Sequence, residues 1–182
     1  VQNCTRKYKI SLIMAHALFI AFILGLQDLR SRYRRSTLGP FWLTISMGVM
    51  ISTIGLVFGQ IFSTQMDSFL PFLAAGIILW AFITSAISEG CTAFISAEGI
   101  IRQLPIPLFA HVLRVLWRNL LILAHNILIL PLVLLVMGKG IHLEVVLAIP
   151  GLFLVSLCLS WVALLFAMLC ARYRDLAQII TS

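Results

Sequence analysis

The sequence predicts an all-α membrane protein, a polytopic bundle of helices, and three observations support this. Of the 182 residues, 62% are hydrophobic and 10% are charged, and the mean hydropathy is +1.10. A water-soluble domain of this size could not cover so much apolar surface with polar side chains. Four stretches are long enough to cross a bilayer, which takes about 20 helical residues. Most of the arginines lie at the ends of these stretches.

The predicted spans divide the chain into an N-terminal basic segment, residues 1–37, and a transmembrane domain, residues 38–182. The spans cover Leu38–Phe62, Phe69–Ala97, His111–Met137 and Val145–Ala171. Of the loops between them, Ser63–Ser68 has no Lys or Arg and Gly138–Glu144 has only Lys139. The positive-inside rule places the arginine-bearing connections in the cytoplasm. The net charge of +7 is therefore a topology signal, and we predict no nucleic-acid partner.

The apolar run Ile10–Leu26 is the ambiguous element. It has basic residues on both sides, so crossing the membrane would leave one basic cluster outside, against the positive-inside rule. A signal peptide has the same layout, but no small-residue cleavage site follows this run. We favour an interfacial helix that lies in, or re-enters, the cytoplasmic side of the membrane. A crossing helix is the alternative.

Polar side chains recur on one face of the third span. His111, Arg114, Arg118 and His125 are spaced by three, four and seven residues, which places them on the same helical face. We expect His111 and Arg114 to snorkel to the interface. The deeper Arg118, His125 and Asn126 are either hydrogen-bonding partners between helices or the lining of a polar pathway.

Glu89 in the second span lies at a depth matching that of Arg118 in the third. Charges inside a membrane seek partners, and antiparallel neighbours bring equal depths together, so we predict a Glu89–Arg118 ion pair. In the first span, the Gly55–Gly59 spacing allows close helix approach. We expect this approach within one chain rather than across a dimer.

Signals of catalysis are missing from the sequence. It contains no G-x-x-x-x-G-K-[ST] phosphate loop, no HExxH and no GxSxG motif, and its four cysteines have no metal-site spacing. We therefore predict no catalytic residues, no metal and no cofactor in this chain.

Three segments together resemble the membrane permease subunits of ABC exporters for O-antigen and capsule-type polysaccharides. They are DLRSRYRRSTLGPFW at 28–42, QLPIPLFAHVLRVLWRNLLILAHN at 103–126 and ARYRDLAQI at 171–179. The middle segment is most similar to the O-antigen branch. Permeases of this family have six spans, so the resemblance implies that the chain is truncated before the last two.

The resemblance implies a homodimeric permease in the bacterial inner membrane, which exports a polyprenyl-diphosphate-linked glycan. A separate ABC ATPase subunit would bind ATP and dock from the cytoplasm. Arg32, Arg34, Arg35, Phe41 and Trp42 would then contact the lipid diphosphate and form the gate. The ATPase would dock on two connections through Arg102, Pro105, Pro107, Arg172, Arg174 and Asp175.

Two other functions compete with this interpretation. One is the permease of a capsule, teichoic acid, drug or lipid ABC exporter with the same fold. The other is an ATPase-independent flippase or enzyme that acts on a glycan lipid. The second would need paired acids or a His/Asp set at one membrane depth, for which Glu89 and His125 are the nearest candidates.

Overall fold

The computed structural model describes residues 19–31, 34, 39, 41–62, 66–103, 106–138 and 147–181. All regular secondary structure within these ranges is helical. In chain order the helices are α1 (residues 19–31), α2 (Phe41–Phe62), α3 (Met66–Ser96), α4 (Glu98–Gln103), α5 (Leu108–Ile127), α6 (Ile129–Val136), α7 (Ala148–Arg172) and α8 (Arg174–Thr181). The predicted fold class is confirmed.

Within the described residues, four helical segments are long and apolar enough to cross a membrane. They cover Phe41–Ile61, Phe69–Ser96, Leu108–Val136 and Ala148–Arg172. The chain is thus a multi-pass membrane protein, with its spans close to the predicted ones. Residues 10–18 of the ambiguous apolar run lie outside the described part of the chain, so whether that run crosses stays a prediction.

One predicted span start shifts and one predicted span is interrupted, each for a local backbone reason. Leu38 was predicted to open the first span, but α2 begins at Phe41 because Gly39 has φ +57°, which the α-helix does not permit. The third span is interrupted at Leu128, whose N–H donates to the His125 carbonyl, and α6 continues it. Gly138, at φ +66°, ends α6 in the left-handed conformation typical of a helix C-terminus.

The helices form two compact units, which are described separately. The first contains α1, the segment Ala86–Arg118 and the segment that begins at Cys158. Its core is built from small side chains: Ala93, Ala163 and Ala167 pack with Val112 and Val115. An added Cβ on Gly90 would lie 2.9 Å from the Ala163 Cβ, so α3 and α7 approach closely at this point.

The second unit contains Arg32–Ser85 and Asn119–Leu157. Within it Gly55 faces the side chain of Leu70, with which an added Cβ would collide. The predicted close approach at the Gly55–Gly59 motif therefore occurs between α2 and α3 of one chain. Many apolar side chains of this unit are exposed, as a lipid-facing surface requires; Leu56 (57%), Phe72 (81%) and Trp80 (67%) are examples.

Candidate functional site

Four charged side chains meet in the first unit, and the predicted Glu89–Arg118 pair is at the centre of them. Arg118 Nη2 donates to Glu89 Oε2 at 2.8 Å, which joins α5 to α3. The Arg118 side chain is 19% exposed and that of Glu89 is 24% exposed. Matching depth on antiparallel helices was therefore sufficient to predict this contact.

The sequence did not predict the third member of this cluster, Asp28 of α1. Its Oδ2 accepts a hydrogen bond from Arg114 Nε at 2.6 Å, and its Oδ1 accepts one from Arg114 Nη2. Arg118 Nη1 adds a longer contact of 3.3 Å to Asp28 Oδ2. Two-point binding of a carboxylate by one guanidinium is the strongest form of this ion pair. We call Asp28, Glu89, Arg114 and Arg118 the charge cluster.

The expected snorkelling of Arg114 and His111 is wrong. Arg114 binds the Asp28 carboxylate instead, and its side chain is only 18% exposed. His111 is 2% exposed, and within the described part of the chain neither of its ring nitrogens has a hydrogen-bond partner. Its ring is enclosed because α5 packs its first turns into the small-residue core of the unit.

A polar cavity of about 240 Å³ adjoins the charge cluster. All four cluster residues line it, together with His111 and the hydroxyl-bearing Thr92 and Ser96 of α3. Both hydroxyls donate to carbonyls of their own helix, Thr92 to Glu89 and Ser96 to Ala93. The charges balance, with two arginines against two carboxylates, so the cavity does not select strongly for an ion of either sign.

The remaining predicted polar residues, His125 and Asn126, lie in the second unit. His125 Nδ1 donates to the Leu121 carbonyl at 2.7 Å, one turn earlier in α5. Its ring contacts the edge of Phe41, with 5.7 Å between ring centroids. Asn126 is 5% exposed, and its Oδ1 accepts no hydrogen bond from the residues that the structure describes. The role of these residues in an intramembrane polar network stays a prediction.

The aromatic residues that open α2 are accessible. Phe41 is 51% exposed and Trp42 is 59% exposed, although both side chains are large and apolar. Arg34 is exposed in the turn before them. Arg32 and Arg35, predicted with Arg34 to contact a diphosphate, lie outside the described residues. Exposed aromatics at a helix start are typical of a membrane interface.

Comparison with known families decides the kind of protein to which these features belong. The family model of the ABC-2 type transporter matches residues 13–182, which is nearly the whole chain. The chain belongs to the ABC-2 type transporter family. It is therefore a membrane permease component of an ABC exporter, a transport subunit and not itself an enzyme. Searches of curated proteins and of solved structures each found no significant match.

In this ABC-2 permease, those of the predicted ATPase-coupling residues that the structure describes lie at or beside the ends of spans. Arg102 lies on α4 and is already bound to Glu98, one helical turn away, at 2.7 Å. Arg172, Arg174 and Asp175 surround the break between α7 and α8, and all are exposed. Pro107 precedes α5, while Pro105 lies outside the described residues.

Exposed apolar side chains lie at the break between α7 and α8 and within α8. Tyr173 is 59% exposed and Ile179 is 70% exposed. The eight residues of α8 thus combine apolar side chains with the charged Arg174 and Asp175 of the first turn. A short amphipathic helix at the end of a span suits an interface with a protein or a headgroup region.

Proposed function

We propose that this ABC-2 permease exports a polyprenyl-diphosphate-linked polysaccharide of the O-antigen type across the bacterial inner membrane. Membership of the ABC-2 family over residues 13–182 is the observation that carries this proposal. The substrate class rests on the three sequence segments that resemble polysaccharide exporters. In this account the arginine-bearing ends of the spans are cytoplasmic.

The accessible aromatics at the start of α2 support the substrate side of the proposal. Phe41 and Trp42 present exposed apolar rings, and Arg34, seven residues before Phe41 in the sequence, is also exposed. A polyprenyl diphosphate joins an apolar chain to an anionic head, so it needs both kinds of contact within a short distance. Guanidinium groups bind diphosphate oxygens through paired hydrogen bonds, and Arg32, Arg34 and Arg35 would supply them.

The energy source in this proposal is a separate subunit. Two copies of an ABC ATPase would bind ATP beneath a homodimer of the permease, and would contact α4, the 104–107 connection and the α7–α8 break. The exposed Arg172, Arg174 and Asp175 are suited to this interface because they offer charge at a fixed helix end. Movement of these segments would open the dimer channel by shifting its conformational equilibrium.

Copurification tests the coupling part of the proposal. The full-length permease, extracted in mild detergent from its own host, is expected to retain a subunit that carries a Walker A phosphate loop. The double variant Arg172→Glu/Arg174→Glu should weaken retention, because reversed charges at an interface cost affinity. A matched control, Arg30→Glu, reverses an exposed arginine at the end of α1.

Two results would count against the coupled exporter. Purification of the intact permease without any P-loop ATPase would favour the ATPase-independent flippase. Equal loss of the ATPase in Arg30→Glu and in the double variant would show that the α7–α8 break is not its specific docking site.

A further inference from the structure

The close packing of α1 against α5 distinguishes it from a helix that merely lies at the interface. Ala21, Gly25 and Asp28 follow one another at intervals of four and three residues, so they share one face. An added Cβ on Gly25 would lie 3.0 Å from Trp117 Cδ1 and 3.1 Å from the Arg114 carbonyl oxygen. Phe22 adds a ring contact to Trp117, with centroids 4.7 Å apart.

Asp28 is the last residue of this shared face, and it adds the ionic contact to the apolar ones. It binds Arg114 at two points and Arg118 at one. Arg118 in turn binds Glu89, so a single carboxylate of α1 is connected to both α5 and α3. Without Asp28, two arginines would face only Glu89 within the charge cluster.

The surroundings of the cluster favour an ionic contact that can open. Each of the four side chains keeps 18–24% of its surface exposed. The adjoining cavity is lined by polar groups, and His111 and Arg118 Nε have no hydrogen-bond partner among the described residues. A cavity of about 240 Å³ with such a lining can admit several water molecules. Water there would solvate Arg114 when Asp28 moves away, which lowers the cost of separating the charges.

We propose that Asp28 is a positioning residue, whose ion pair with Arg114 and Arg118 is a releasable latch that holds α1 on α5. Arg30, the first arginine of the run at 30–35, lies two residues after Asp28 in α1. The opening of the latch during transport rests on the proposed exporter function. Its role in holding α1 on α5 does not depend on that function.

Distance measurement between spin labels tests the latch without any substrate. Labels on Gln27→Cys of α1 and Met168→Cys of α7 use exposed positions outside the cluster. Cys4 and Cys158 are replaced by serine, whereas Cys91 and Cys170 are buried. The full chain is reconstituted in lipid nanodiscs and diluted with unlabelled protein, so that only pairs within one chain contribute. The labelled protein with Asp28, Arg114 and Arg118 unchanged should give a narrow distance distribution.

Asp28→Asn is expected to broaden the distribution and shift it to longer distance, because the amide cannot neutralise two guanidinium groups. Asp28→Glu keeps the charge and should retain most of the wild-type distribution, a rescue that a purely steric role would not give. Glu98→Gln is the matched control, since it removes a carboxylate from an exposed pair on α4. It should leave the distribution unchanged.

A wild-type distribution in Asp28→Asn would overturn the latch, and so would equal broadening in Asp28→Asn and Asp28→Glu. If Asp28→Asn does not fold, Arg114→Lys is used. It keeps the positive charge but loses two-point binding, so the latch predicts broadening there too. A distance distribution in Arg114→Lys as narrow as that of the wild type would contradict the latch. If the distances confirm the latch but the protein exports no glycan, only the proposed function is disproved, because the distances are measured without substrate.

Discussion

Replacing Arg118 with methionine is expected to lower the free energy of unfolding by about 3 kcal/mol. The change leaves Arg114 alone with two carboxylates, one of which, Glu89, had accepted a hydrogen bond from Arg118 at 2.8 Å. Removing one partner of a buried ion pair costs about 3–5 kcal/mol. We expect the lower end because the side chains of the cluster are about a fifth exposed.

Reversible unfolding in mixed detergent micelles measures this effect, and two further variants control it. Glu98→Gln breaks an exposed pair, whose side chains are 78% and 49% exposed, and should change stability by less than about 0.5 kcal/mol. The double variant Arg118→Met/Glu89→Gln should recover part of the loss, because it removes the excess negative charge. An Arg118→Met protein as stable as the Glu98→Gln control would show that the cluster does not stabilise the fold.

Gly90→Ala is expected to destabilise the protein by about 1–3 kcal/mol, the cost of overpacking a close contact. The new methyl group would lie 2.9 Å from the Ala163 Cβ and 3.3 Å from its Cα. The Cα belongs to the backbone of α7, so the contact can be relieved only by moving one helix away from the other. The buried Ala93 and Ala167 beside it would lose packing as well.

A glycine in the same helix provides the control for this prediction. Gly76 also lies in α3, but an added Cβ there would meet nothing within 4 Å, so Gly76→Ala should be neutral or slightly stabilising. Ala163→Gly placed in the Gly90→Ala background should restore stability, because it removes the opposing methyl group. Thermal unfolding of the four proteins would contradict the prediction if Gly90→Ala matched Gly76→Ala, or if Ala163→Gly deepened the loss.

The sequence was most informative where one physical constraint dominated. A bilayer requires long apolar helices, so hydropathy alone located four spans to within a few residues. A charged side chain inside the membrane requires a partner of opposite charge at the same depth, and this requirement was enough to pair Glu89 with Arg118. The positive φ of Gly39, by contrast, moves the start of the first span from the predicted Leu38 to Phe41.

What the sequence did not reveal depended on contacts between distant segments. Asp28 lies just before a run of arginines, any of which could be a local partner, yet its partners are 86 and 90 residues away. The same contact explains why Arg114 does not snorkel. No local pattern indicates that α1 packs on α5 closely enough to bring Asp28 there.

The close approach of α3 and α7 also has a signal in the sequence. The Gly55–Gly59 motif marks one close packing site. The buried residues Ala86, Gly90 and Ala93 of α3, with Ala97 just after it, form another small-residue stripe at spacings of four, three and four. Ser160, Ala163, Ala167 and Cys170 form the matching stripe in α7. Small residues at such spacings predict a helix interface, but only the fold shows which helix lies opposite.

Glycan export in the native host is the most direct test of the central claim, that this ABC-2 permease moves a polyprenyl-linked polysaccharide outward. Deleting the gene should remove a surface polysaccharide, while the lipid-linked glycan accumulates at the cytoplasmic face of the inner membrane. Restoring the full-length gene should reverse both changes. Unchanged surface polysaccharide in the deletion strain, together with altered efflux of a drug or lipid, would contradict the claim and favour a different ABC exporter.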